Sequence, residues 1–161
     1  MSIYQGFGEL KSPADLLKKL KHDLERLKNS PHNQYAAFDF FVTAEHILDW
    51  IYPHNRDDRK KHRSSLPLLR ITSHIANGAK HFEAAKKHHI SIVEIEKERY
   101  VEEGCVEEGC FEDPVLVHLT SEEAKAIGAP MIINAEELAS RVLQYWENHL
   151  TMDKSATGPF F

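Results

Sequence analysis

The chain has 161 residues, 42% of them hydrophobic and 28% charged, with a formal net charge of −5. That is enough material for one domain with a real core. No apolar run approaches the roughly 18–20 residues that span a bilayer, and no basic-then-apolar leader opens the chain, so a cytoplasmic protein without membrane contact is expected.

Met1–Lys11 carries no strong pattern. Ser12-Pro13-Ala14-Asp15 then reads as a helix start: Ser12 can cap, Pro13 suits the first helical position and Asp15 favours the positive helix end. Leu17, Leu20, Leu24 and Leu27 repeat at three and four, which predicts an amphipathic helix over 13–29. A second helix is predicted over 34–52. Its apolar residues, among them Phe40, Phe41, Ile47, Leu48 and Trp50, cover most of the circumference, so it should be central and largely buried. A carboxylate buried there needs a partner. Asp39 or Asp49 is expected to find one, with Arg70 the nearest cation by position.

Pro53 stops that helix. Positions 53–65 read as a loop carrying Arg56, Arg59, Lys60, Lys61 and Arg63, with His54 and His62 beside them. Such a loop suits an anionic ligand, nucleic acid being the obvious class, although small charge clusters are usually solvated surface. The third helix is predicted over 65–88, with Pro67 tolerated in its first turn. At about 100° per residue, Arg70, His74, Asn77 and His81 fall within a sector of roughly 60°. Leu68, Ile71, Ile75, Ala79 and Phe82 lie on the other side. Gly78, within this stretch, marks either a close approach of another group or a helix break. A short connection makes the second and third helices antiparallel neighbours, which should bring Asp49 toward Arg70, His46 toward His74 and Asp39 to the level of His81.

Beyond this the pattern changes. Positions 90–100 mix Ile90, Ile92, Val93 and Ile95 with charges at strand-like spacing. A duplicated Val-Glu-Glu-Gly-Cys follows at 101–110, and its glycines predict turns or bulges. Positions 91–113 hold nine acids against two bases, a net of −7, so the remainder of the chain is at +2 and a basic working face is not excluded. Cys105 and Cys110 are expected to be free thiols without zinc. Val115–Leu119 reads as a strand, Thr120-Ser121-Glu122-Glu123 as a capping box opening a short helix that Gly128 closes, and Met131–Ile133 as another strand. Asn134 caps a last helix over 135–150, and 152–161 read as a flexible tail. The expected fold is mainly α. One domain over 1–151 is a bundle of about four main helices, with a small β-hairpin-like excursion at about 90–133.

Two stretches carry a resemblance. Phe40–Trp50 (FFVTAEHILDW) and Ile75–Phe82 (IANGAKHF) resemble a set of small, uncharacterised bacterial helical proteins with a DW at the end of one helix and an NG-x-KH on the next. More distantly, the Asn77–His81 spacing resembles the HEPN superfamily. That resemblance implies a helical, often dimeric protein, and in many members a metal-independent RNase of defence or toxin systems. The family motif sets an Arg before the polar residue. Ala76 stands at that place here, and Arg70 lies too close to His74 and too far from His81 to substitute.

Three functions follow. In the first, His74 or His81 acts as general acid/base on RNA while Arg70 or Lys80 steadies the phosphate. In the second, His46 and a carboxylate of the second helix complete a metal site, because His74 and His81, about 10 Å apart along the axis, cannot share one ion. The third and favoured reading is a non-catalytic interaction or regulatory protein, whose polar stripe (Arg70, His74, Asn77, His81, supported by His46, Asp49 and Lys80) meets a protein partner or a second copy. No phosphate-binding glycine loop is present and no cofactor is expected.

Overall fold

A computed structural model describes residues 3–81, 91–97 and 113–156. Six helices and a three-stranded sheet follow in the order α1(Pro13–Asn29), α2(Gln34–Ile51), α3(Arg56–Ser65), α4(Pro67–His81), β1(Ile92–Glu96), β2(Leu116–Leu119), α5(Ser121–Ile127), β3(Ile132–Asn134) and α6(Ala135–Ala156). The mainly helical class expected from the sequence is correct. The four main helices expected are α1, α2, α4 and α6, and α5 is the short helix expected after Thr120; α3 was not expected, and three strands stand where a hairpin-like excursion was. The described residues form six helices, and the excursion is an antiparallel sheet ordered β1-β2-β3 with α5 between its second and third strands.

The predicted Ser12 cap forms, its hydroxyl accepting from the Asp15 N–H at 3.2 Å. At the start of α2 the Asn33 side chain accepts from the Tyr35 and Ala36 N–H groups, a cap not read from the sequence. Leu20, Leu24 and Leu27 of α1 are buried against Phe40, Phe41, Ile47 and Leu48 of α2. As its all-round apolar surface predicted, α2 is the hub, packed against α1, α3, α4 and α6. Asp39 faces α1, where the Arg26 guanidinium donates to it at 2.8 Å.

Positions 56–65, expected to be a loop, are helical. The segment RDDRKKHRSS has no apolar residue, so no hydrophobic periodicity announces it. It is built from end effects: the Asn55 side chain accepts from the Asp58 N–H at 3.0 Å, Asp57 and Asp58 sit in the first turn, and His62 and Arg63 in the last. Nor does one helix run through Ser65. Leu66 is extended (φ −125°, ψ 128°) because the following Pro67 disfavours helical geometry at the residue before it, and α4 begins afresh at Pro67. Whether α4 extends toward residue 88 lies outside the described residues, as do the duplicated pentapeptide, Cys105, Cys110 and residues 157–161.

The sheet lies over one end of the bundle. Val115, Val117 and Leu119 of the β2 segment alternate inward and Leu116 and His118 outward. The backbone ties β2 down: Val115 N–H donates to Pro31 O at 2.9 Å, and Ala135 N–H donates to Val115 O at 2.8 Å. The chain passes from β3 directly into α6, which continues to Ala156 rather than ending near Leu150 and delivers the fully buried Trp146 to the core. No described helix is long and apolar enough to cross a membrane.

Candidate functional site

The polar stripe of α4 divides between two surroundings. Arg70 is turned to α5, where its Nε and Nη2 donate to the two carboxylate oxygens of Glu123 at 2.8 and 3.0 Å and its Nη1 donates to Ser64 O at 2.9 Å. Glu123 is 5% exposed and also accepts from the Ser91 hydroxyl at 3.1 Å. The carboxylate holds the Arg70 pKa above its usual range. His74 is buried as well. Its Nδ1 accepts from the backbone N–H groups of Ser91 and Ile92, each at 3.0 Å, which keeps that nitrogen unprotonated. Arg70 thus joins α4 to α5 and α3, and His74 joins it to the start of β1. The expected approach of Asp49 to Arg70 does not occur, since Asp49 pairs with Arg59 of α3 at 2.9 Å. The helical angles were right, but they cannot say which neighbour covers a face.

Asn77, Lys80, His46 and Asp49 do come together. With Glu45, Phe38 and Val42 they line a groove of about 400 Å³ between α2 and α4. The Asn77 amide donates back to Ser73 O at 2.8 Å, while His46 and Lys80 are exposed. His81, the last residue of α4, is exposed and outside this lining. Glu45 was missed from the sequence. It is paired with Arg63 of α3, yet burial pushes its carboxyl up to about 7, outweighing the pull of the Arg63 charge. Its only signal was a carboxylate on the apolar second helix, and its partner lay in a segment read as loop. Among the described residues, no group of three or more His, Cys, Asp or Glu side chains could hold a metal ion.

A second groove of about 420 Å³ adjoins the first, sharing Phe38, Val42 and Ala79. It is apolar. Phe41 and Ile75 form its floor, Tyr35 and Phe38 one lip, and Val93 and Ile95 of β1 the other. Those lips stand well out of the core, with Tyr35 72%, Phe38 49%, Val93 71% and Ile95 45% exposed. Gly78 also lines it, and a Cβ built there meets no atom within 4 Å. Gly78 continues the helix rather than breaking it. Glycine at such a site costs about 0.5–1 kcal/mol relative to alanine, and packing within the described residues does not require it.

No family model matches this chain, and searches of curated proteins and of solved structures find no match either.

Proposed function

We propose that this chain is a non-catalytic interaction module whose partner enters the apolar groove between α2, α4 and β1. One observation carries the reading: four exposed large apolar side chains, Tyr35, Phe38, Val93 and Ile95, line the two sides of a single apolar groove. Folded monomers rarely leave contiguous apolar surface uncovered without a use. The stripe argues in the same direction. Arg70 spends its guanidinium on Glu123 and Ser64, and His74 spends Nδ1 on the start of β1. Neither is arranged to reach a substrate proton or phosphate.

The test pairs a solvatochromic apolar dye with the Gly78→Leu variant. The native protein should bind the dye in the absence of denaturant, and the variant, with an unchanged circular dichroism spectrum, should lose most of that binding. Equal dye binding by both proteins would refute the groove.

One observation favours a second reading, a HEPN-like, metal-independent RNase or RNA-binding protein of a defence or toxin–antitoxin system. His46, Asn77 and Lys80 share a groove with Glu45, whose carboxyl titrates near neutrality. In this reading Lys80 steadies a phosphate and His46 moves the proton. Cleavage of a labelled single-stranded RNA that is abolished by His46→Ala or Lys80→Ala, without loss of fold, would establish it and displace the first.

A further inference from the structure

We infer that the occupant of the apolar groove is an extended segment of a partner protein in which apolar residues alternate with lysine or arginine, added as a strand beside β1. The inference rests on the interaction-module reading and names its partner. Among the described strands β1 has a neighbour on one side only, since the order is β1-β2-β3. A strand at a sheet edge offers unpaired N–H and C=O groups to an incoming chain. Its side chains set the complement. Val93, at a shift in the β1–β2 register, and Ile95 face the groove, while Glu94 and Glu96 pair in register with His118 and Leu116 on the opposite face of the sheet. Only one of these carboxylates has a described partner: Glu96 bonds the His118 ring at 2.7 Å. An added strand therefore needs apolar side chains on the groove face and positive ones on the other, because opposite charges across a strand pair stabilise it and like charges do the reverse.

The same alternation argues against a second copy. Pairing two β1 strands sets Glu94 and Glu96 of one against Glu94 and Glu96 of the other. It also argues against RNA, whose phosphates would meet those carboxylates. Gly78 completes the case. It sits in the groove lining where a side chain would stand in the occupant's space, although a Cβ there meets nothing in the described residues.

The experiment measures fluorescence anisotropy of two labelled synthetic peptides, one alternating lysine with valine and one alternating glutamate with valine, against the full chain. The lysine peptide should bind about tenfold or more tightly than the glutamate peptide, a difference of about 1.4 kcal/mol, and the gap should narrow as salt rises. Gly78→Leu should weaken the lysine peptide by a similar factor. Glu94→Lys with Glu96→Lys, the first exposed and the second half-buried beside His118, should reverse the preference even if Gly78→Leu fails to fold. Equal binding of both peptides, or indifference to the charge reversal, overturns the proposal. So does a dimer seen by sedimentation that Gly78→Leu dissociates, which would give the groove to a second copy. Dye binding that is lost in Gly78→Leu, together with peptides that do not discriminate, removes the partner and leaves the groove reading intact. RNA cleavage lost in His46→Ala removes the reading itself.

Discussion

A glutamate at the third position of a helix ordinarily turns back to the start of its own helix. Glu123 turns instead to Arg70 and Ser91, leaving the Thr120 hydroxyl to accept from the Glu123 N–H at 3.4 Å. The carboxylate is thus buried at the junction of α4, α5 and the start of β1. Arg70→Ala strands it without its cation and should cost about 3–5 kcal/mol in urea denaturation. Arg70→Lys should recover only part of that, since an ammonium cannot reproduce the two parallel bonds. Glu45 yields a pH prediction of less familiar sign. Its carboxyl is raised from 4.5 to about 7 by burial, so between those values the folded protein holds a proton that the unfolded chain has released. The contribution to stability is fully present below pH 4.5 and is lost as pH rises through about 7. Glu45→Gln, which stays neutral, should therefore gain stability relative to the native protein as pH rises across that window, as followed by denaturant titration. A native protein that gains on the variant instead would mean that the Arg63 charge outweighs the burial.

At the level of elements, α4 carries the simplest test. Alanine restores helix propensity at Gly78, and its Cβ has open space, so Gly78→Ala should raise stability by about 0.5–1 kcal/mol. Sequence reading did well wherever a segment pairs apolar periodicity with a cap. The leucines of α1 behind Ser12, the apolar run of α2 and Thr120 ahead of α5 each fixed an element to within a residue or two. It failed at α3, where apolar periodicity is absent and only Asn55 and the ordering of charge marked a helix. It failed in part at the site, because angular position placed Arg70 and His74 on a polar face correctly but could not foresee that β1 and α5 would cover it. The apolar groove was not foreseen at all, since its two lips come from Tyr35–Phe38 and Val93–Ile95, far apart in sequence. The hold on α3 can also be tested. His62 lies between the hydroxyls of Tyr52 at 3.2 Å and Tyr145 at 2.5 Å. Burial, with His149 close by, lowers the His62 pKa from 6.5, and burial, with Tyr52 close by, pushes the Tyr145 hydroxyl up to about 12. A depressed histidine stabilises the fold above its unfolded value and loses that contribution as pH falls. Acidification below about pH 6.5 should therefore lower the amide-exchange protection factors in α3 of the native protein more than in His62→Gln.

Across the whole molecule, α6 closes the core. It leaves β3 without a connecting loop and packs against α1, α2 and α4. Trp146 lies at the centre of these contacts, and its indole Nε1 finds no acceptor among the described residues. Trp146→Ala should cost about 3–5 kcal/mol, a large part of the 5–15 kcal/mol that holds a typical domain together. Trp146→Phe, which keeps a ring and removes the unsatisfied donor, should cost less. Thermal melts followed by circular dichroism will rank the two. The bundle and its sheet are thus held mainly by burial, whereas α3 has no fully buried residue and is fixed by polar contacts: the ion pairs Arg59–Asp49 and Arg63–Glu45, the His62 bonds to Tyr52 and Tyr145, and the Arg70 bond to Ser64 O. That difference has a calorimetric consequence. Heat capacity rises on unfolding mainly through newly wetted apolar surface, so detaching α3 alone should add almost none and should be nearly silent in a scanning calorimeter. Added salt, which weakens ion pairs and leaves apolar burial largely intact, should release α3 at temperatures where the rest of the molecule still shows one sharp endotherm.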